Sequence, residues 1–392
     1  MRVLHVITGL DVGGAELQLD AVLRHTRHEA DVVTLYNPGP VADRLREQGV
    51  SVRDLGMRRN TELGALIRLY QIIRAGRYDV VHAHLYRAQI YARPAARLAR
   101  TPVIVTTEHS IGETHIERRV MTRSVRALYL ASELTSDATI AVADVVRERL
   151  VRWGVPARKI TVIPNGLDST ELGFDPARRT QVREQFGIAP DAYVIGTLGR
   201  LDPNKRIDLA IEAAGPLLGD RCKLLIIGRG EEMERLQGLA AQHGVAEHVI
   251  FGGYQADMTA MLSAFDLNLT ASLQETFGLS VLEALANGVP VLYTTCPALD
   301  GISTDRARQV AGNVRALRAE LAKEIEAGSR PRQPVMQIID RYGIESVATR
   351  IDDLYEHLAA RRRRHGVPAR RPAGRRPATV GASGIRASGH GR

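Results

Sequence analysis

The chain reads as short apolar runs alternating with amphipathic stretches, in two successions. In the first, RVLHVIT, ADVVTLY, SVRDLG, DVVHAHL, PVIVTTEH, ATIAVA and KITVIPNGLD are brief and rich in β-branched residues, the pattern of strands buried on both faces. Between them lie helical patterns: Leu17, Leu19, Val22 and Leu23, a stretch ending at Gln48, TELGALIRLYQIIRAG, QIYARPAARLAR and VVRERLVRWG. From Asp191 the alternation restarts, with strands AYVIGTLGR, CKLLIIGRG, HVIFGG, LNLTAS and VPVLYTT around the helices IDLAIEAAGPLL, EEMERLQGLAAQHG, MTAMLSAF and LSVLEALA. Such alternation predicts an α/β chain with two doubly wound parallel sheets, which bind ligands beyond the carboxyl ends of their strands. The expected division is 1–170, 171–338, a closing helical segment 339–360 built on SVATRIDDLYEHLAA, and a tail 361–392.

The stretch SLQETFGLSVLEALANGVPVL (272–292) reads as loop, helix, stop and strand. Glu275 falls in the loop before the first turn, where the N–H groups of Phe277 to Ser280 are free and the helix dipole favours an anion. Glu283 is expected two turns along, so that both carboxylates flank one ligand at the helix start. A phosphate there with hydroxyl-bearing rings on either side is a nucleotide sugar. Glutamates at this spacing also occur as solvated charges, but Leu282, Ala284, Leu285 and Ala286 would make an unpaired charge at 283 costly.

GRLDPNK places Arg200 and Lys205 in one loop after a strand, where a fork donor and a point charge can clamp a diphosphate; an exposed cationic loop is the alternative. Gly13-Gly14 allows close backbone approach before a helix, or only a turn. Gly228-Arg229-Gly230 lacks the third glycine of a dinucleotide fingerprint, and there is no Walker motif. His82, His84 and His109 sit at strand ends; His82 and His84 share a face, yet no nearby carboxylate or cysteine completes a metal set. His109 is placed to face a cleft, with a structural histidine as the alternative.

Composition narrows the partners. The net charge of +9 is carried by residues 361–392, which hold ten arginines and no acids, so the remainder is near neutral. That segment has no apolar periodicity and is expected to be disordered, with weak contact to an anionic membrane surface or nucleic acid as its one charge-based role. Two cysteines, Cys222 and Cys296, make no disulfide framework, and no run approaches the roughly 20 apolar residues of a membrane span. The expected location is cytoplasmic, at most peripheral to the inner membrane face.

The ordered motifs GGAE, DVVHAHL, TTEH, IPNGLD, GRLDPNK, IIGRGEEMERL with VIFGG, and the Glu275/Glu283 pair around Phe277-Gly278 resemble those of retaining GT-B glycosyltransferases of the family-4 type (glycosyl transferases group 1) over residues 1–360. The resemblance implies two Rossmann-like domains facing a cleft, the first on the acceptor side and the second binding the nucleotide sugar, with a closing helix crossing back to the first. It implies that Glu283 binds the ribose and Glu275 the sugar hydroxyls, assisted by backbone at Phe277, Gly278 and Leu279. Gly228 joins the donor sugar and nucleoside site. Arg200, Lys205, Gly13 and Gly14 would hold the diphosphate and His109 would touch the sugar near the reacting centre. No cofactor and no metal are implied; the partners are a nucleotide-sugar donor, UDP-linked by preference or GDP-mannose, and a hydroxyl acceptor. A nucleotide-sugar epimerase of the same fold is the alternative. Two departures stand out: TTCPALDGISTDRARQVAG replaces a Gly-rich acidic stretch and strand, and Ala143 stands where serine is usual.

Overall fold

The computed structural model describes residues 1–59, 61–117 and 119–364. The first half runs β1 (Arg2–Ile7), α1 (Gly14–His25), β2 (Glu29–Thr34), α2 (Gly39–Glu47), β3 (Ser51–Asp54), α3 (Leu63–Gly76), β4 (Val80–His84), α4 (Tyr86–Leu98) and β5 (Val103–Glu108). A small hairpin, β6 (His115–Ile116) and β7 (Arg119–Val120), precedes α5 (Arg123–Glu133), β8 (Ala138–Ala141), α6 (Asp144–Trp153) and β9 (Ile160–Val162). Seven of these strands form one all-parallel sheet in the order β3-β2-β1-β4-β5-β8-β9.

The second half begins with α7 (Pro176–Gln185), β10 (Tyr193–Leu198), α8 (Ile207–Ala214), β11 (Cys222–Ile227), α9 (Met233–Gln242), β12 (Val249–Gly253) and α10 (Met258–Ala264). It continues with β13 (Leu267–Thr270), α11 (Leu279–Asn287), β14 (Val291–Tyr293), β15 (Ala307–Gln309), α12 (Val314–Ala327), α13 (Met336–Tyr342) and α14 (Ile344–Arg364). Its sheet is also all parallel, in the order β12-β11-β10-β13-β14-β15. Strand order reverses between β1 and β4 and between β10 and β13, where doubly wound sheets open a crevice.

The last helix belongs to the first sheet. Ile344, Val347, Ile351 and Tyr355 pack into one core with Val3, Val80, Val103, Val105 and Ile140. Asp352 fixes the register, accepting from Thr26 Oγ1 and the Arg27 N–H, each at 2.8 Å. Two expectations are corrected here. The helix placed at 339–360 is broken at Gly343 and runs on to Arg364, with Arg362 paired to Asp137, so residues 361–364 are helical and not tail. Residues 365–392, the rest of the expected disordered segment, lie outside the described residues. The stretch after Leu292, read as lacking a further strand, contains β15, which extends the sheet beside β14.

One buried carboxylate organises the amino end of the second sheet. Asp266 accepts from Arg179 Nη2 and Arg183 Nη2, both at 2.7 Å, from the Val194 N–H at 2.8 Å and from Ser329 Oγ at 2.9 Å. Arg183 is almost wholly buried, so removing its counter-charge strands a guanidinium in the interior. Asp266→Ala should therefore lower stability by about 3–5 kcal/mol, read from the shift in the urea unfolding midpoint; a shift within about 1 kcal/mol would show that water reaches the arginines instead.

Candidate functional site

The loops at the carboxyl ends of β10, β11 and β13 are fitted to each other by glycine. Gly228 has φ +148°, and a Cβ on it would stand 1.8 Å from the Gly199 carbonyl oxygen, so the β10 and β11 loops pass in direct backbone contact. Beyond Gly199, Asp202 caps a short turn by accepting from the Asn204 N–H, which carries Lys205 toward the β13–α11 loop. There Lys205 Nζ donates to Glu275 Oε1 at 2.6 Å and Asn204 Nδ2 to the Gln274 carbonyl at 2.9 Å. The Arg200 guanidinium is 51% exposed and lies 3.2 Å from Asp202.

Gly278, at φ +101°, turns this loop into α11; a Cβ on it would meet Cys296 Sγ at 2.5 Å. The helix starts only at Leu279, so Glu283 lies little more than one turn in, not two as the sequence spacing counts. The Phe277 ring is core, packed edge-on to Tyr342 with centroids 5.3 Å apart, which leaves only its backbone for the loop. Glu283 is half-buried and has no hydrogen-bond or ion-pair partner among the described residues; burial pushes its carboxyl up to about 7, partly offset by the Lys205 charge.

The first domain meets this junction directly. A Cβ on Gly14 would lie 3.4 Å from Leu279 Cδ1, Thr276 Oγ1 donates to the His109 carbonyl at 2.7 Å, and Arg229 pairs with Asp11. Gly13 caps α1, and its missing side chain makes room for the Glu16 carboxylate, 2.5 Å from where a Cβ would stand. Burial pushes Glu16 up to about 7, and Arg200 across the cleft pulls it back. Gly13, Gly14, His109, Arg200, Lys205, Glu275, Gly278, Leu279 and Glu283 thus gather where the two domains touch, with Gly228 one loop behind. Thr276 and Glu16 escaped the sequence reading. Glu16 carries a signal, an acid three residues after the cap; Thr276 carries none, because its partner is 167 residues away.

His109 follows β5, and burial holds its imidazole down at about 4. His82 donates to or accepts from Tyr355 OH at 2.6 Å and Thr107 Oγ1 at 2.7 Å. The pair at 82 and 84 is joined by His5, and these three have ring nitrogens within 4.8 Å of one another. Both His82 nitrogens are already engaged, so a metal would have to displace one of those short bonds. Ala143 is the cap of α6 and, lacking a hydroxyl, gives it no side-chain hydrogen bond. No helix among the described residues is long and apolar enough to cross a membrane.

Two family models tile the chain: Glycosyltransferase Family 4 over residues 12–171 and Glycosyl transferases group 1 over 178–329. The chain belongs to the family-4 GT-B glycosyltransferases. It is 28% identical over 241 residues to the UDP-Gal:alpha-D-GlcNAc-diphosphoundecaprenol alpha-1,3-galactosyltransferase of Escherichia coli, covering 59% of this chain and 62% of that one. With the D-inositol 3-phosphate glycosyltransferase of Geodermatophilus obscurus it shares 31% over 282 residues, 65% of this chain and 62% of that one. The match therefore spans less than two thirds of either relative. Among solved structures, HepE of Anabaena in complex with UDP-glucose superposes with a TM-score of 0.78 at 21% identity, over 91% of this chain and all of that one. Sucrose-phosphate synthase of Thermosynechococcus elongatus gives 0.73 at 19% identity, over 92% of this chain and all of that one. These likenesses show the shared fold.

The glycine fit of this glycosyltransferase is open to a direct check. Gly228→Ala forces a side chain against the Gly199 carbonyl at a backbone angle that disfavours it, and should cost more than about 1 kcal/mol of stability while displacing the Arg200 loop. Unchanged thermal unfolding of the variant would mean that the loops part without cost.

Proposed function

We propose that this chain transfers a hexose or N-acetylhexosamine from a UDP-sugar, with GDP-mannose as the second candidate donor, to an acceptor hydroxyl with retention at the anomeric carbon. The observation that carries the reading is the junction itself: a partnerless, half-buried Glu283 beside the Lys205–Glu275 pair, at the start of α11 and under the Gly13-Gly14 turn of the opposite domain. A desolvated carboxylate without a donor matches a ligand that brings hydroxyls, and the adjacent cations match its phosphates. In this reading Glu283 takes the ribose, Glu275 the sugar, and Arg200, Lys205 and the free N–H groups at Leu279 and Ser280 take the diphosphate, with Gly13, Gly14, Phe277, Gly278 and Gly228 shaping the backbone around it.

The charge that develops on the departing nucleoside diphosphate falls on groups already aimed at it, so the protein's own cations supply the stabilisation and the reading needs no bound metal. His109 borders the sugar near the reacting centre, and the acceptor hydroxyl attacks from the face the leaving group vacates. The galactosyl transfer from UDP-Gal that names the Escherichia coli relative, and the UDP-glucose held by HepE, favour a uridine donor; an epimerase finds no counterpart among these relatives. A cell-envelope glycan or natural-product precursor is the acceptor class we favour.

Four measurements test this. Arg200→Ala and Lys205→Ala should each weaken UDP binding by about 1.5–3 kcal/mol in calorimetry, and unchanged affinity in both would remove the clamp from the site. Glu275→Gln should lower kcat more than donor affinity, and Glu283→Gln the reverse; an α-linked donor should give an α-linked product, which the anomeric proton coupling reports.

The fourth is a pH dependence. A ribose donates to an ionised carboxylate, and Glu283 in the free protein is protonated below about 7. Nucleotide-sugar affinity should therefore fall by up to tenfold per pH unit below about 7 and level off above it, while Glu283→Gln binds with a flat profile. The free protein should show the opposite slope: a carboxyl raised on folding loses stability as pH climbs from its unfolded value of 4.5 toward about 7. An unchanged slope in Glu283→Gln would assign the titration to Glu16 or Glu108, which burial raises to the same value.

A further inference from the structure

An unbroken line of imidazoles leads from the interior of the first sheet to the cleft. His5 Nδ1 and His84 Nε2 are 3.0 Å apart, and His84 Nδ1 and His109 Nε2 are 3.3 Å apart. At the cleft end, His109 Nδ1 is buried and has no partner. His5, His84 and His109 all line one cavity of about 30 Å³, with Gln18, Thr107 and Asn165 among its other walls. Each of the two nitrogen-to-nitrogen contacts holds one proton in neutral rings, so the tautomer of any one ring dictates those of the other two.

Only two arrangements satisfy both bonds. In one, every ring carries its proton on Nε2: His109 donates to His84, His84 donates to His5, and His109 Nδ1 is left as a bare acceptor. In the other, every ring carries it on Nδ1, the tautomer that free imidazole side chains disfavour, and His109 presents a donor. The first has intrinsic preference on its side at all three positions. It also leaves His109 Nδ1 as a lone pair, not an N–H.

We propose that His84 and His5 are positioning residues that hold His109 in the Nε2–H tautomer, so that His109 Nδ1 accepts a hydrogen bond from a hydroxyl of the bound substrate. The ligand chemistry is thus an O–H donor, of the sugar or of the acceptor. Burial supports the neutral state: the His109 imidazole is held at about 4 and that of His5 at about 3. This inference rests on the donor-site reading above only in naming the ligand; the tautomers are a property of the free protein.

The test uses the full chain labelled with nitrogen-15 in histidine, with long-range proton–nitrogen correlations assigning the tautomer of each ring and single variants assigning the signals. Nε2–H at His5, His84 and His109 is expected. His84→Phe keeps a ring but removes both bonds, and should leave His109 as a mixture of tautomers. Its kcat should fall by up to about 100-fold with the affinity for UDP little changed. His84→Gln restores an acceptor and a donor on one side chain and should recover part of that loss, which a purely space-filling role does not explain. Donors with single hydroxyls removed, and acceptors likewise, then show which O–H His109 receives. Nδ1–H at His109 in the native chain, tautomers unmoved by His84→Phe, or stoichiometric zinc uptake by His5, His82 and His84 would each overturn the proposal. If instead no nucleotide sugar binds the native chain while the tautomers are as described, the functional reading fails and the chain of rings stands.

Discussion

Parallel pairing is the constraint from which the rest follows. A strand can be laid parallel to its neighbour only after the chain has crossed back over the sheet, so every carboxyl end emerges on one edge and every crossover helix begins there. In this chain both sheets are wholly parallel, and the two edges face each other. The Gly13-Gly14 turn, the loop that opens at His109, the Arg200–Lys205 loop and the start of α11 arrive at one place because of that rule, though they are spread over about 270 residues of sequence.

Packing then decides which groups stay dry. Three carboxyls near this edge, Glu16, Glu108 and Glu283, are pushed up to about 7, each by burial before any charge effect. They differ in what compensates them. Glu108 lies beneath the cleft and is held by Gln89, at 3.3 Å, and the Ser110 N–H, at 3.2 Å. Glu16 has its own backbone N–H and the field of Arg200, whereas Glu283 has only the charge of Lys205. The least compensated of the three is the one at the helix start, beside the cations.

Much of this was legible in sequence, and the failures have physical causes. Runs such as DVVHAHL and CKLLIIGRG declare buried parallel strands because both faces are apolar. The hairpin β6–β7 and strand β15 are two or three residues long and polar, so no periodicity marks them. The depth of Glu283 was misjudged because the helix start is set by Gly278, whose left-handed turn is fixed by Cys296 packing from a later loop. The proximity of Lys205 to Glu275 follows from adjacent strands β10 and β13, but the approach of Thr276 to His109 depends on how the domains meet. His5 went unnoticed beside His82 and His84 because an isolated histidine in a first strand has no local signature; strand pairing aligns it with His82. The helical continuation to Arg364 was hidden by a run of like charges, which reads as solvated tail until Asp137 is known to face it.

The placement of α14 sets the order in which the molecule is completed on the ribosome. The first sheet has all its strands by residue 162, yet the face carrying Val3, Val80, Val103 and Val105 is covered by Ile344, Val347, Ile351 and Tyr355. Until those last turns emerge, a finished sheet has Ala21 and Val22 of α1 on this valine face but lacks the cover that α14 gives it, while the whole second domain is being made. The amino-terminal half is thus translated first and sealed last, and for that interval it carries the kind of transiently exposed apolar surface that makes partly built proteins prone to aggregate.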